Sequence, residues 1–334
     1  MLRAMNKLPL SLAVCDYDRT KALFLGRVQI EGCEVMPFPV NAEEAFHRAF
    51  KYQEFDVSEL SLSSHTLTTA RGENEYVGIP AFVSRVFRHS GIYIRTDRGI
   101  KRPEDLKGKR VGVPEYQITA NVWMRGMLAD DYGVKPEDIH WRRGGIEEPG
   151  RGERAPIKLP ENVDLQQIPD DKTLSAMLAA GEIDAMLSAR SPSCFDRGAP
   201  NVGRLFPDFR AVEQDYYKRT GLFPIMHLIG IRKSLVEKHP WLPVNVYKAF
   251  LAAKKIAMQE LGEIGALLIH LPWVVDHYNE TRRVMGDDYW PYGFHENQKT
   301  LETFTRYSHQ QGLSARKVNP EELFAKSTFE LSKV

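Results

Sequence analysis

The chain has 334 residues, which is longer than one typical domain and favours two lobes or domains. Its 45 Lys and Arg residues nearly balance its 44 Asp and Glu residues, so no overall charge favours nucleic acid or an acidic membrane surface as a partner. Hydrophobic residues make up 43% of the chain, and no apolar run approaches the roughly 18 residues of a membrane span. The ten histidines are dispersed without an HExxH or His-x-His motif, so no metal site is predicted.

The cysteine pattern predicts a reducing compartment. Cys15, Cys33 and Cys194 form neither a CxxC motif nor a close pair. The apolar run that precedes Cys15 is interrupted and too short for a secretion signal, so it is interpreted as a strand. We therefore predict a cytoplasmic protein.

Strands and helices alternate in the first part of the chain. The pattern predicts strands at 8–14, 34–40 and 56–60 and a helix at 42–53. Such alternation is typical of an α/β sheet, in which ligands bind beyond the carboxyl ends of the strands. Asp16, Ser61 and Ser63 follow predicted strands and are therefore expected at one edge, although the serines could instead cap the next helix.

The next segment, 76–96, is predicted to form long strands that cross between lobes. Arg85, Arg88 and His89 interrupt its apolar pattern. Under strict strand alternation Arg85 and His89 share one face and Arg88 lies on the other. Two cations in an apolar run indicate a buried anion or an internal partner, and the structural alternative is a salt bridge to a carboxylate such as Glu59 or Glu75.

A third feature is the break between a predicted strand at 110–113 and a helix that begins near residue 117. A strand that turns into a helix leaves backbone N–H groups unpaired at the helix start, where they favour an anion. Tyr116, Thr119 and Asn121 lie at this break. We predict a carboxylate-binding point there.

The second half of the chain repeats the pattern and then becomes helical. The Gly- and Pro-rich stretch 145–160 is predicted to be an exposed loop. Strands are predicted at 163–168, 183–187 and 223–231, and helices at 173–180, 246–261, 264–271 and 296–310. The strand at 183–187 ends in Arg190, Ser191 and Ser193, and the strand at 223–231 contains His227.

The order of these elements resembles the type II periplasmic-binding-protein fold. The stretches DLKGKRVGV at 105–113 and LAAGEIDA at 178–185 resemble patterns of that superfamily. The resemblance implies an α/β, two-lobed fold with two crossing strands and a helical C-terminal cover. Lobe 1 is predicted at 1–88 plus 226–334, lobe 2 at 89–225, and the ligand cleft between them.

Four further stretches resemble the 4,5-dihydroxyphthalate decarboxylase family. They are SRVFRHSGIYI at 84–94, VPEYQITANVWMRGML at 113–128, SARSPSCF at 188–195 and GLFPIMH at 221–227. That family converts 4,5-dihydroxyphthalate to protocatechuate and CO2 without an oxidant. The resemblance implies a carboxy-lyase without a cofactor that acts on a small aromatic carboxylate, with no nucleic-acid or membrane partner. The helical tail permits a homo-oligomer.

An ortho-dicarboxylate carries two negative charges, so its site needs guanidinium groups, hydroxyls and backbone N–H groups. The predicted substrate-binding residues are Asp16, Ser61, Ser63, Arg85, Arg88, Tyr116, Thr119, Asn121, Arg190, Ser191 and Ser193.

Loss of CO2 from an electron-rich ring needs a proton delivered to the carbon that bears the leaving carboxylate. Histidine and carboxyl side chains are the usual proton donors and acceptors. The predicted catalytic residues are His89, His227, His65 and Glu59, with a histidine as the donor. The sequence leaves open which histidine it is, and each histidine could instead be a hydrogen-bonded core residue.

One alternative function belongs to a different class of protein. The same fold serves solute-binding proteins that capture a small anionic metabolite without changing it. Turnover of the aromatic dicarboxylate would discriminate between the two.

Overall fold

The computed structural model describes residues 7–153 and 156–333, which divide into two compact units. Unit 1 contains Met1–Arg85, Ile225–Glu302 and Asn319–Val334, and unit 2 contains Val86–Pro224 and Thr303–Val318. The chain passes between units at 85–86 and 224–225, close to the two predicted crossings. It passes twice more, at 302–303 and 318–319.

The strands of the described residues are β1 (Leu8–Val14), β2 (Cys33–Pro39), β3 (Val57–Ser61), β4 (Tyr76–Arg85), β5 (Ile92–Arg95), β6 (Arg110–Val113), β7 (His140–Arg143), β8 (Leu165–Gln167), β9 (Ala185–Leu187), β10 (Val202–Arg204) and β11 (Ile225–Arg232).

The α-helices are α1 (Asp18–Phe24), α2 (Ala42–Tyr52), α3 (Leu62–Arg71), α4 (Thr119–Tyr132), α5 (Leu174–Ala180), α6 (Ser193–Asp196), α7 (Phe209–Thr220), α8 (Lys233–Lys238), α9 (Leu242–Leu261), α10 (Val274–Met285) and α11 (Gln298–Gln310). The boundary at 302–303 falls within α11. Short 3-10 turns, among them Pro320–Leu323 and Lys326–Lys333, complete the C-terminal region.

Unit 1 is built on a five-stranded sheet with the order β2-β1-β3-β11-β4. Strand β1 is parallel to β2 and β3, whereas β11 runs antiparallel to β3 and β4. Buried apolar side chains dominate the central strands, as expected for strands covered on both faces. The carboxyl ends of β1, β3 and β4 therefore meet the amino end of β11 at one edge.

Unit 2 is built on a six-stranded sheet with the order β10-β5-β9-β6-β7-β8. Strand β6 is parallel to β7 and β9, and β5 runs antiparallel to β9. A core that includes Leu174, Leu178, Ile183 and Met186 packs on one face. The carboxyl ends of β6, β7 and β9 lie at the same edge as the amino end of β5.

Residues 303–318 belong to unit 2, although the predicted boundaries place them in the first lobe. The Trp123 ring packs against Phe304 and Tyr307, with ring centroids 5.5 and 5.6 Å away. A Cβ atom at Gly126 would lie 2.2 Å from the Tyr307 ring, so glycine permits this approach of α4 and α11. The helical pattern at 296–310 identifies the helix but not the surface on which its second half packs.

The prediction of strand through 86–91 is wrong. Strand β4 ends at Arg85, and His89–Gly91 forms a 3-10 turn, so strand alternation does not place the side chains of Arg88 and His89. The Gly91 oxygen accepts a hydrogen bond from Ser188 N, and a Cβ atom at Gly91 would lie 2.6 Å from the Ser188 oxygen. The turn is closed by the hydrogen bond from Gly91 N to the Arg88 carbonyl oxygen at 3.0 Å, a local contact that the apolar pattern does not indicate.

The predicted helix at 264–271 is also absent. Residues 264–271 form bends, with Ile264 and Leu268 exposed by 76% and 57%, and the next helix begins at Val274. Helical spacing of apolar residues stabilises a helix only when a surface covers that face. Gly265 and Pro272 further disfavour a continuous helix in this segment.

Candidate active site

The edge of the unit 1 sheet brings together side chains from distant parts of the sequence. In the strand register His227 of β11 lies opposite Ser61 of β3 and Ser84 of β4. Glu59 lies two residues before Ser61 on β3, and Tyr17 follows the end of β1. All of these strands terminate or begin at this edge, so polar side chains from distant parts of the sequence lie close together there.

Glu59 is the centre of this group. Its side chain is fully buried and accepts three hydrogen bonds. Oε1 accepts from His227 Nδ1 at 2.6 Å and from the Tyr17 hydroxyl at 2.8 Å, and Oε2 accepts from Cys15 N at 2.9 Å. Three donors converging on one buried carboxyl group stabilise its ionised form.

The electrostatics of the group follow from these contacts. Burial by itself raises the pKa of Glu59, but the hydrogen bond and charge of His227, with the Cys15 and Tyr17 bonds, lower the pKa overall. Burial, together with the Glu59 charge, raises the pKa of Tyr17, so that phenol remains a protonated donor. At neutral pH Glu59 is therefore a carboxylate held by hydrogen-bond donors.

His227 is oriented by this carboxylate. Because its Nδ1–H donates to Glu59, Nε2 is the ring nitrogen that can exchange a proton with a ligand. The Phe46 ring meets the imidazole edge-on at 4.7 Å, which further restricts the ring, while 19% of the His227 side chain remains exposed. A carboxylate-oriented, partly exposed histidine can act as a general acid or base.

The predicted serines and Asp16 lie at the same edge but have separate roles. Ser61 is the N-cap of α3, where its hydroxyl accepts from Ser64 N at 3.4 Å, as the capping alternative predicted. Ser63 is buried within α3, and Asp16 is exposed in the turn after β1. The structure therefore brings Asp16 and Ser61 near the Glu59 group and gives Ser61 a local structural function.

Arg85 is held inside unit 1. The guanidinium group is buried and donates to the Pro291 carbonyl oxygen at 2.8 Å and to Asn297 Oδ1. It also lies 5.2 Å from the centre of the Phe82 ring. Two of the internal partners of Arg85 are thus a carbonyl oxygen and an amide oxygen.

His65 lies apart from the Glu59 group, in the interior of unit 1. Its Nε2 donates to the Leu323 carbonyl oxygen at 2.8 Å, which joins α3 to the Pro320–Leu323 turn. Burial lowers the pKa of His65, partly offset by this hydrogen bond. These contacts match the core-histidine alternative.

Replacing His65 with leucine is expected to reduce stability and to leave kcat unchanged. The substitution leaves the Leu323 carbonyl without its donor, at a cost of about 1–3 kcal/mol in the free energy of unfolding. Denaturant unfolding and steady-state kinetics of the folded variant measure the two quantities. A large loss of kcat with unaltered stability would instead restore His65 as a catalytic residue.

In unit 2 the predicted carboxylate-binding point lies at the break after β6, and a carboxylate from the same chain occupies it. Tyr116 N donates to Glu153 Oε1 at 2.5 Å, and Gln117 N donates to Oε2 at 3.4 Å. Thr119 begins α4, and Asn121 Nδ2 donates to the Glu115 carbonyl oxygen at 2.8 Å. Backbone N–H groups at the break thus bind a carboxylate, the ligand type expected there.

A buried guanidinium that the sequence reading missed lies beside this point. Arg125 of α4 is 1% exposed and donates from Nη2 to the Tyr116 carbonyl oxygen at 2.7 Å and from Nε to Gln311 at 2.9 Å. Its guanidinium carbon lies 3.6 Å from the centre of the Tyr116 ring. A single cation in the apolar run NVWMRGML is the signal that could have identified it.

His89 is buried between aromatic rings in unit 2. Its ring centroid lies 5.4 Å from that of Phe206 and 5.1 Å from that of Tyr216. Burial, with a smaller contribution from the Arg219 charge, lowers the pKa of His89 to about 4. The imidazole is therefore neutral at pH 7, which makes His89 a poor proton donor.

Arg88 lies next to His89, and its Nη1 donates to the Ala189 carbonyl oxygen at 3.4 Å. Burial lowers the pKa of Arg88 to about 10, partly offset by Glu213. Burial also raises the pKa of Glu213 to about 7, partly offset by backbone N–H groups. His89 Nδ1 lies 3.8 Å from Glu213 Oε1. Because His89 is neutral at pH 7, this contact is not a full ion pair.

The residues after β9 form a second carboxylate contact. Ser193 donates from N and Oγ to the two oxygens of Glu147, at 2.8 and 2.6 Å. The Ser191 hydroxyl donates to Asp196 Oδ1 at 2.5 Å, and Arg190 is exposed. The predicted hydroxyl cluster therefore binds acidic side chains of its own unit.

The prediction that 145–160 is a solvated loop is incomplete. The described part of this stretch lacks helix and strand, but Glu147 and Glu153 point back to the two predicted ligand-binding edges of unit 2. Composition predicts a loop correctly but does not indicate where its side chains bind.

Known proteins with related sequences or structures extend these observations. A family model described as "ABC transporter, phosphonate, periplasmic substrate-binding protein" matches residues 25–148. The chain is 48% identical over 330 residues to a 4,5-dihydroxyphthalate decarboxylase from Comamonas testosteroni, covering 99% of this chain and 100% of that protein. It is 50% identical over 214 residues to a 4,5-dihydroxyphthalate decarboxylase from Pseudomonas putida, covering 64% of this chain and 83% of that protein.

Among solved structures, the periplasmic aliphatic sulphonate binding protein SsuA from Escherichia coli is similar to this chain. The TM-score is 0.53 at 14% identity, covering 97% of this chain and 99% of that chain. At this identity the likeness shows the fold alone. The fold is the predicted periplasmic-binding-protein-like α/β fold.

Two negative observations apply to residues 7–153 and 156–333. No helix in these ranges has both the length and the apolar character needed to cross a membrane. No cluster of three or more His, Cys, Asp or Glu side chains in them is arranged to hold a metal ion.

Proposed function

The chain belongs to the 4,5-dihydroxyphthalate decarboxylase family, and from that premise we propose that it converts 4,5-dihydroxyphthalate, or a close analogue, to protocatechuate and CO2 without a cofactor. The predicted resemblance to this family is confirmed by the identity over nearly the whole chain. In this proposal the chain's own side chains supply the proton chemistry.

The observation that carries the proposed mechanism is the 2.6 Å hydrogen bond from His227 Nδ1 to the buried Glu59 carboxylate. This bond occupies Nδ1 and leaves Nε2 as the ring nitrogen that can exchange a proton. It also fixes the ring so that Nε2–H points away from Glu59. We assign His227 as the proton donor and Glu59 as the residue that orients it.

In the proposed step, the ring hydroxyl para to the reacting carbon gives its proton to solvent, and its electrons move through the ring as that carbon takes the proton from His227 Nε2. The C–C bond to the carboxylate then breaks, CO2 leaves, and the electron pair of that bond restores the aromatic ring as a phenolate. The phenolate takes a proton back from solvent, and His227 also regains its proton from solvent. The net reaction therefore consumes one proton for each CO2 released.

The proposal assigns proton donation to His227 rather than to the other predicted histidines. His89 has a pKa of about 4 and is neutral near pH 7, and His65 donates to a core carbonyl. His227, in contrast, is hydrogen-bonded to the buried Glu59 side chain. A cytoplasmic setting is part of the proposal, supported by Cys15, Cys33 and Cys194 all being free thiols.

Incubation with 4,5-dihydroxyphthalate tests the reaction. The proposal predicts stoichiometric release of CO2 and appearance of protocatechuate. Calorimetric binding of the acid that remains chemically unchanged over hours would instead identify a solute-binding protein.

Cofactor independence has a separate test. Dialysis against EDTA is expected to leave kcat within about twofold of its starting value, because a histidine alone performs the proton transfer at its usual catalytic strength of about 10²–10⁴-fold. Activity before and after dialysis is the measurement. Complete loss that a divalent metal restores would show that the reaction depends on a bound metal ion.

A further inference from the structure

The start of α4 holds a carboxylate in the geometry by which proteins bind an anionic ligand. Two consecutive backbone N–H groups, of Tyr116 and Gln117, point to the two oxygens of Glu153 at 2.5 and 3.4 Å. Glu153 comes from the loop after β7, 36 residues beyond Gln117 in sequence. The carboxylate therefore reaches this point through the fold of the loop and is not a local helix cap.

Glu153 is held there at an electrostatic cost. Its side chain is only 6% exposed, and burial, together with the nearby Glu115 charge, raises its pKa in spite of the two N–H bonds. Arg143 Nη1 lies 3.7 Å from Glu153 Oε1. A buried carboxylate whose ionised form is disfavoured is a weakly held occupant.

The same point has hydrogen-bonding capacity beyond what Glu153 uses. Gln117 is 2% exposed, and within the described residues neither its side-chain oxygen nor its nitrogen has a hydrogen-bond partner. Nη1 of the buried Arg125 also lacks one within these ranges. Buried polar groups are normally paired, so unpaired donors beside a bound carboxylate point to a ligand with more acceptors than a glutamate side chain.

Beyond Ile146, which packs against the core of unit 2, the loop that carries Glu153 is tethered by polar contacts. Arg151 donates to Glu115 Oε1 from Nε at 2.9 Å and from Nη2 at 2.6 Å, and Glu147 accepts from Ser193. The described residues from Gly145 to Glu153 contain no helix or strand. Polar tethers of this kind can exchange for equivalent contacts with a ligand at small net cost.

We propose that Glu153 occupies the position of a ligand carboxylate at the start of α4, and that an aromatic carboxylate binds there by displacing it. Glu153 is then a specificity-determining residue, because a ligand must bind the N–H groups of Tyr116 and Gln117 better than the tethered side chain does. The identity of the ligand as a benzene-1,2-dicarboxylate rests on the proposed function, whereas the displacement itself does not.

If a ligand must displace Glu153, weakening the contact of Glu153 with the N–H groups should strengthen binding of the ligand. A tethered group acts as a ligand at an effective concentration in the millimolar range, and the apparent Kd of a competing ligand equals its intrinsic Kd divided by the fraction of time the site is free. Glu153→Gln keeps the shape and one acceptor but removes the charge. We expect this variant to bind phthalate about tenfold more tightly than the native chain.

Calorimetric titration of phthalate into the full chain tests this inference. Phthalate has no ring hydroxyl, so it reports binding without turnover. Glu148→Gln, at an exposed position five residues away on the same loop, is the matched control and is expected to bind like the native chain. Glu153→Ala is the second variant, and thermal unfolding verifies that each protein is folded.

Tighter binding by both Glu153 variants, with the control unchanged, supports the displacement. Binding by the Glu153 variants that equals or falls below the native value would overturn it, as would the absence of phthalate binding by all of the proteins. Tighter binding together with no turnover of 4,5-dihydroxyphthalate by the native chain would contradict the proposed function but leave this inference standing.

Discussion

Replacing His227 with asparagine is expected to lower kcat by about 10²–10⁴-fold, the usual contribution of a general acid. Asparagine can still donate a hydrogen bond to Glu59 in place of Nδ1, so the buried carboxylate keeps a partner. It has no group equivalent to Nε2–H, so the ring carbon loses its proton donor. Steady-state kinetics with 4,5-dihydroxyphthalate measure the effect, and thermal unfolding verifies the fold.

The matched control is His47→Asn, which changes an exposed histidine of α2 in the same unit. We expect the control to retain native kcat and KM. A His227→Asn variant that is folded and as active as the control would contradict the assignment of His227 as proton donor.

Replacing Glu59 with glutamine is expected to reduce kcat by about 10²-fold with a smaller change in KM, because the imidazole loses the partner that orients it. Glutamine has one acceptor oxygen where Glu59 accepts from Tyr17, His227 and Cys15. At least one buried donor then faces the amide NH2 group, which costs about 1–3 kcal/mol of stability. Glu34→Gln, at an exposed position on β2, is the control.

The pH dependence of stability separates the charge of Glu59 from its shape. The pKa of Glu59 is lower in the folded chain than in the unfolded chain, where it is about 4.3. Its charge therefore stabilises the fold above that unfolded value, and the contribution is lost as the pH falls through the folded value. The difference in unfolding free energy between native and Glu59→Gln proteins should be largest at neutral pH and shrink below about pH 4. A difference that grows on acidification would contradict this account.

Local patterns predict most of the fold because the strands and helices bury one periodic face. Strand β1 lies at the predicted residues, and β3 and α2 agree with prediction within one residue at each end. The predicted elements that are absent lie where contacts outside the periodic pattern determine the local structure. A 3-10 turn at His89–Gly91, closed by the hydrogen bond from Gly91 N to the Arg88 oxygen, replaces the predicted strand, and the apolar residues at 264–271 form no helix.

The candidate site could be predicted only in part. The rule that ligands bind at strand ends identifies Glu59, and His227 was predicted as a catalytic candidate within a crossing strand, but only the register of β11 against β3 places these two side chains together. The loop glutamates Glu147 and Glu153 could not be predicted, because composition carries no information on which distant backbone groups a loop side chain contacts. The position of His65 after the serine run likewise does not indicate its contact, since its hydrogen-bond partner is a carbonyl 258 residues away in sequence.

Turnover of 4,5-dihydroxyphthalate in D2O, followed by proton NMR of the product, tests the central claim most directly. The account predicts protocatechuate with deuterium at the ring carbon that carried the departed carboxylate, formed by the native chain and by His47→Asn at equal rates and by His227→Asn at a rate lower by about 10²-fold or more. Native protein that leaves the substrate unchanged, or a His227→Asn variant that forms the deuterated product at the native rate, would contradict it.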